Sequence, residues 1–282
     1  MAEPTNSSID QRALADHFRA LHRSGEPLLI PNPWDAGSAR LLRSLGFQAL
    51  ATTSSGFAAT LGRLDGTVSR EEALGHAAAI VAATDLPVSA DLENCFADDI
   101  DGVAETVRGA VAAGLAGFSV EDYTGRVSDP IYDLDLAVAR VAAAVEIAHS
   151  GPAQLVVTAR AENHLHGRDD LDDTIRRLRA YQQVGADVLY APGPTDRDQL
   201  RAIVDSVDRP VNVLVRAGSP PVVELAELGV ARISVGGSFA FAAIEALVAV
   251  ASELRDRGTY GYTARSADGV GAARAAFAEP AD

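Results

Sequence analysis

Short runs dense in apolar and β-branched residues alternate along this chain with longer stretches whose apolar positions recur at helical spacing. The short runs fall at 27–32, 47–53, 86–93, 117–122, 154–162, 187–193, 210–216 and 231–237, and predict eight strands. The longer stretches fall at 35–45, 69–84, 99–113, 134–149, 169–184, 196–207, 220–228 and 238–256, and predict helices, with residues 1–26 read as a leading helix. Gly46, Gly114, Gly185 and Gly229 each follow a helical run, where a C-terminal glycine belongs. Asp35, Ser69 and Asp196 stand at N-cap positions. Eight βα units in about 250 residues match the (β/α)8 count. The structural rival, a doubly wound open sheet, calls for a glycine-rich turn after its first strand, and PNPWDAG (31–37) has no GxGxxG. No linker or low-complexity segment interrupts the pattern. Residues 1–282 are therefore expected to form a single α/β domain, a TIM barrel with an N-terminal helix. The tail 263–282 reads either as a helix docking on a neighbouring subunit or as unstructured chain.

Composition narrows the function. A net charge of −15 offers no basic footprint for nucleic acid or an anionic membrane. No uninterrupted apolar run reaches the roughly 18 residues of a membrane span. The N-terminus lacks a basic segment followed by an apolar core, so a cytoplasmic location is expected. Cys95 is the only cysteine, which removes an intrachain disulfide. There is no lysine: all 24 cationic side chains are arginine. Schiff-base chemistry, a pyridoxal-phosphate anchor and a P-loop lysine are excluded together. Cationic recognition here is planar and fork-shaped.

Barrel enzymes work at the C-terminal ends of their strands. Strand three ends in Asp91 and Glu93, strand four in Glu121-Asp122, and strand five in Arg160 and Glu162. Asp91 and Glu93 are two apart and share a face, so their charges repel unless a cation sits between them. A hard dication with oxygen ligands and retained waters satisfies that demand, and Mg²⁺ takes such sites. Arg160 would hold a substrate carboxylate. The turn Thr53-Ser54-Ser55-Gly56 offers hydroxyls and N–H groups to a second anionic oxygen. Taken singly, the acids also read as strand ends paired to arginines, Arg160 as a structural ion pair, and the hydroxyl run as an ordinary turn. His164 and His166 have the spacing of a zinc pair, but no further histidine stands at a strand end. Cys95 reads as a small filler and Trp34 as a packing residue.

Residues 31–66, SADLEN (89–94), GFSVEDY (117–123), VTARAEN (157–163), 179–193 and 212–236 resemble, in order and spacing, the isocitrate lyase/phosphoenolpyruvate mutase superfamily. The resemblance implies a (β/α)8 barrel with its last helix swapped to a partner, in a homodimer or homotetramer. It also implies Mg²⁺, with Mn²⁺ as an alternative, a small anionic 2-oxo or 2-hydroxy acid, and an enolpyruvate-type intermediate. By position it makes Asp91, Glu93 and Glu121 metal ligands, with Glu93 standing where the family more usually has aspartate. It places Thr53, Ser54, Ser55, Arg160 and Asn212 on the substrate, and assigns catalytic roles to Asp65 and Arg160, with Tyr123 as a proton donor. Two departures matter. The loop after strand four, YTGRVSDPIYDLD (123–135), lacks the lysine, cysteine and histidine of the isocitrate and methylisocitrate lyases, and the lysine and asparagine of the phosphonomutases. The usual glycine-tyrosine-glycine after the metal acids is replaced by Cys95-Phe96-Ala97. The expected activity is a lyase cleaving a C–C bond next to an α-oxo acid, of the oxaloacetate decarboxylase kind. A methylisocitrate- or dimethylmalate-type lyase, a P–C bond enzyme and a non-catalytic metabolite-binding barrel remain as alternatives.

Overall fold

Eight strands form where the alternation predicts them: β1 (Leu28–Ile30), β2 (Leu50–Ala51), β3 (Val88–Asp91), β4 (Gly117–Glu121), β5 (Val156–Arg160), β6 (Val188–Tyr190), β7 (Val211–Leu214) and β8 (Arg232–Ser234). The computed structural model describes residues 10–278. All strand pairs are parallel, in the order β1-β8-β7-β6-β5-β4-β3-β2. Between β1 and β2 a backbone bond from Ala51 N to Pro31 O, 3.1 Å long, joins the edges of this nearly closed barrel. Pro31 has no N–H to return, which limits the ladder at that seam.

Side chains alternate across the sheet. Val88, Ala90, Phe118, Val120, Val157, Ala159 and Leu189 face outward and pack against Val103, Val107, Val141 and Leu178 of the surrounding helices. Inward positions are polar: Ser89 and Asp91 on β3, Ser119 and Glu121 on β4, Thr158 and Arg160 on β5, Asn212 on β7, Arg232 and Ser234 on β8. The N-terminal end of the barrel is stoppered by Phe18 of α1 (Gln11–Ala20), which packs with Leu28, Ile30, Val156 and Val188.

The outer ring comprises α2 (Ala36–Ser44), α4 (Arg70–Ala82), α5 (Ile100–Ala112), α6 (Leu134–Ser150), α7 (Leu171–Gln183), α8 (Arg197–Asp205) and α9 (Val222–Glu227). Asp35 and Ser69 cap α2 and α4 in reciprocal capping boxes with Ser38 and Glu72, each worth about 1 kcal/mol. Gly46, Gly114, Gly185 and Gly229 take φ between 80° and 102°, as C-terminal glycines do.

One expectation changes and one open alternative closes. The strand read over 47–53 shortens to Leu50–Ala51, because Thr53 caps a helix, α3 (Ser54–Thr60), accepting from Gly56 N. The tail, read either as a helix docking on a neighbouring subunit or as unstructured chain, is helical, α11 (Thr263–Phe277), and packs on α2 of its own chain, with Phe277 near Gly37. The reading of 1–26 as helix holds for Gln11–Ala20; residues 1–9 and 279–282 lie outside the described residues. The preceding helix, α10 (Ser238–Arg257), buries Ala240 and leaves Phe241 50%, Leu247 65% and Val248 58% exposed. Among the described residues no helix is long and apolar enough to cross a membrane.

Candidate active site

Parallel register sets Glu121 of β4 beside Arg160 of β5, and Asp91 of β3 beside Ser119 of β4. Arg160 then reaches across the barrel mouth. Its Nη1 donates to Asp91 Oδ1 at 2.8 Å, its Nε to Glu162 Oε1 at 2.8 Å, and its Nη2 lies 3.1 Å from Glu121 Oε2. These are charge-assisted contacts between the half-buried Arg160 and Asp91 and the buried Glu121 and Glu162. Asp91 is held further by Ser54 N at 3.3 Å and by Ser119 Oγ at 3.5 Å.

The mouth holds more negative charge than Arg160 can balance. Asp65, Asp91, Glu93, Glu121 and Glu162 surround it. Burial, then the carboxylates of Asp91 and Asp65, push Glu93 up to about 8. The Glu93 carboxylate has no hydrogen-bond partner among the described residues and lines the cavity. Burial raises Glu162 to about 7 and lifts Glu121 well above the usual carboxylate range. Asp65, at the rim, is raised by burial and by Asp91, against a hydrogen bond from Ser54.

Buried bonds behind the mouth hold these strand ends. Asp122 accepts from Tyr181 Oη at 2.6 Å, from Arg177 Nη1 at 3.0 Å and from Glu162 N at 2.8 Å. Beyond β3 the chain turns sharply: Glu93, Cys95 and Phe96 have φ of 49°, 59° and 54°, left-handed conformations that non-glycine residues resist. Cys95 thus carries a backbone cost where the resemblance expects glycine. Arg140, 1% exposed, clamps this turn by donating to the carbonyls of Asn94, Ala97 and Asp98. Cys95 itself is fully buried, its thiol pushed up to about 12 by burial, as befits a filler.

Two cavities meet at Arg160. The wider, about 540 Å³, is walled by Asp65, Glu93, Glu121, Tyr123 and His166. The narrower, about 210 Å³, runs into the barrel past Thr53, Ser55, Asp91, Ser234 and Arg232. Nearly all the residues singled out from the sequence therefore converge. Asn212 does not: it lies in the layer below, its Nδ2 donating to Ser234 Oγ at 3.0 Å and its Oδ1 accepting from Arg232 Nε at 2.9 Å. Glu162, read from the sequence as a strand end beside Arg160, was given no role there, although its place two residues beyond Arg160 on one strand face was a usable signal. His166, weighed from the sequence only as half of a zinc pair, stacks on Tyr123 with ring centroids 3.7 Å apart, and Arg232 carried no local signal.

Among the described residues no three His, Cys, Asp or Glu side chains form a ready cage. Mg²⁺ takes one or two carboxylates and keeps several waters. The unpartnered Glu93 carboxylate beside Asp91, in a mouth with surplus negative charge, fits such a cation.

The chain is thus a (β/α)8 barrel whose candidate site lies at the C-terminal ends of its strands. The chain belongs to the phosphoenolpyruvate phosphomutase family, whose model, described as Phosphoenolpyruvate phosphomutase, matches residues 18–255. A crystal structure described as a lyase/mutase from Burkholderia cenocepacia J2315 shares 52% identity at a TM-score of 0.92, covering 97% of this chain and 98% of that one. Oxaloacetate decarboxylase of Chromohalobacter salexigens is 30% identical over 87% of each chain. 2-Methylisocitrate lyase of Escherichia coli K12 is 30% identical over 77% of this chain and 75% of its own. The protein is thus a member of a superfamily of lyases and mutases that act on C–C or P–C bonds.

Proposed function

We propose that the protein is a divalent-metal-dependent lyase that cleaves the C3–C4 bond of a small 2-oxo dicarboxylate, in the manner of an oxaloacetate decarboxylase. The observation that carries this reading is the cluster of carboxylates from β3, β4 and β5 around Arg160. It is joined by a loop after β4 with no lysine, cysteine or histidine to protonate a departing carbanion. Loss of CO₂ needs no such acid.

Asp91, Glu93 and Glu121 would hold the metal, which when bound supplies Lewis-acid polarisation of the C2 oxo oxygen. Arg160, which lines the narrower cavity together with Arg232, keeps N–H donors on Nη1 and Nη2 for the carboxylate that the substrate retains. The hydroxyls of Thr53, Ser54 and Ser55 orient the same end, and Asp65 at the rim positions substrate or water. As the C3–C4 bond breaks, CO₂ leaves and the electron pair moves into the C2 carbonyl as an enolate. Tyr123, on the wall of the wider cavity, returns a proton to C3, giving pyruvate.

A second reading has its own support. The wider cavity, about 540 Å³, has room beyond a four-carbon acid, and the stacked Tyr123–His166 pair offers a proton donor. A substituted malate cleaved by a retro-aldol route would use both. The exposed apolar face of α10 supports a homo-oligomer, dimer or tetramer, in which that helix packs on a second copy.

The test is product release from oxaloacetate, 2-methylisocitrate, 2,3-dimethylmalate and phosphonopyruvate with Mg²⁺ or Mn²⁺. Pyruvate from oxaloacetate at a rate well above the metal-catalysed background is the expected result. Turnover of none of the four sinks the lyase reading.

A further inference from the structure

Arg232 lies at the inner end of the narrower cavity, two residues before Ser234 on β8, and is 4% exposed. Its Nε donates to Asn212 Oδ1 at 2.9 Å and its Nη1 to Thr158 Oγ1 at 3.1 Å, with His22 Nε2 3.4 Å from the same nitrogen. None of these is an anion. The other arginines of the interior are compensated: the half-buried Arg160 by three carboxylates, the buried Arg177 by Asp122 and Asp173, and the buried Arg140 by three backbone carbonyls. A guanidinium buried without a counter-charge costs several kcal/mol, and folds retain such charges when something pairs with them. The surroundings bear the marks of that cost. Burial, and then Arg232, hold His22 neutral down to about 3, and burial drives Arg232 itself down to about 10. Nη2 of Arg232 has no hydrogen-bond partner among the described residues, while the cavity beside it is lined by the hydroxyls of Ser89, Ser119 and Ser234.

We propose that this inner end of the cavity is a carboxylate subsite, in which Arg232, oriented by Asn212 and Thr158, binds the carboxylate that the substrate retains through the reaction. The chemistry of the two ends of the cavity assigns which carboxylate that is. A departing carboxylate loses its charge as CO₂ forms, so a fixed cation beneath it would stabilise the ground state and slow the step. Among the acids of the mouth the same loss of charge is favoured. The retained carboxylate stays anionic throughout, and a rigid, solvent-free cation suits it. The proposal rests on the lyase reading for the direction of the substrate, and not for the existence of the anion site.

The experiment is calorimetric titration of the full-length protein with oxalate in the presence of MgCl₂, for wild type, Arg232→Gln, Arg232→Lys and Asn212→Asp. Arg232→Gln is expected to weaken oxalate binding about ten- to a hundredfold, with partial recovery in Arg232→Lys. Asn212→Asp puts a carboxylate beside Arg232. It is expected to raise or hold the melting temperature while weakening oxalate at least about tenfold, and so it serves if Arg232→Gln does not fold. With oxaloacetate, Arg232→Gln raises KM with little change in kcat, because the contact is equal in ground and transition states. Oxalate affinity within twofold of wild type in the folded variants overturns the subsite, as does no saturable binding to wild type. Arg232-dependent oxalate binding without pyruvate release leaves the subsite standing and sinks the lyase reading. Pyruvate release with KM unmoved by Arg232→Gln does the reverse.

Discussion

Arg160 and Arg232 are inward-facing cations in successive layers of one barrel, and their company is opposite. Arg160 stands among Asp91, Glu121 and Glu162, with Glu93 and Asp65 beyond. Arg232 meets an amide, a hydroxyl and a neutral imidazole. The mouth therefore lacks positive charge and the inner end of the cavity lacks negative charge. A small acid carrying a divalent cation at one end would satisfy both. The contrast also shows why the wall between barrel and helices is apolar while the lumen is not. Stability comes from Phe118, Val157 and Leu189 facing outward, which frees the inward positions for charge.

The comparison can be broken at several points. The largest effect is expected from Asp91→Ala, which removes a proposed metal carboxylate and an Arg160 partner together: pyruvate release should fall at least about a thousandfold, with far-UV circular dichroism unchanged. Activity within tenfold of wild type would show that the acid cluster is structural only. Arg160→Met leaves three buried carboxylates without their cation, so urea unfolding should lose roughly 3–5 kcal/mol. Arg232→Met removes a charge with no anion to strand, and should cost distinctly less. Equal losses would mean that the two sites are electrostatically alike.

Acid unfolding sharpens the contrast at the inner end of the barrel. His22 is neutral in the fold down to about 3, against 6.5 when unfolded, so below 6.5 the unfolded chain binds the extra proton. Stability from this site is complete above 6.5 and declines as pH falls toward 3, by at most about 1.4 kcal/mol per pH unit. In His22→Phe that slope between pH 6.5 and 4 should flatten, measured by urea titration at each pH. An unchanged slope would place the acid sensitivity elsewhere. The smallest effect on the fold is expected far from both cations. Leu247→Asp on the exposed face of α10 should change chain stability by less than about 0.5 kcal/mol while lowering the sedimenting mass. A species of unchanged mass would remove α10 from the interface.

Most of the scaffold was legible along the chain because it is local. Strand alternation, the caps at Asp35, Ser69 and Asp196, and the glycines that close helices depend on neighbours a few residues away. The candidate mouth was legible for a related reason: residues at strand ends with a period of two must share the lumen, which brings Asp91, Glu121 and Arg160 together. The Thr53–Gly56 segment was misread because a capped first turn of helix and a free turn have the same local composition. The choice between the two readings of the tail was not legible, because its helix is held by contact with α2, more than two hundred residues earlier.

By itself, the sequence determined the order of eight βα units, the absence of lysine chemistry and the identity of the acids at the barrel mouth. Only the tertiary structure decided that Arg160 is shared among three carboxylates, that Asn212 serves Arg232 and does not reach the cavity, and that Arg232 has no anion. Periodicity is a property of a residue and its near neighbours. Charge balance in a lumen is a sum over strands that lie far apart in the chain, and it exists only after the barrel has brought them side by side.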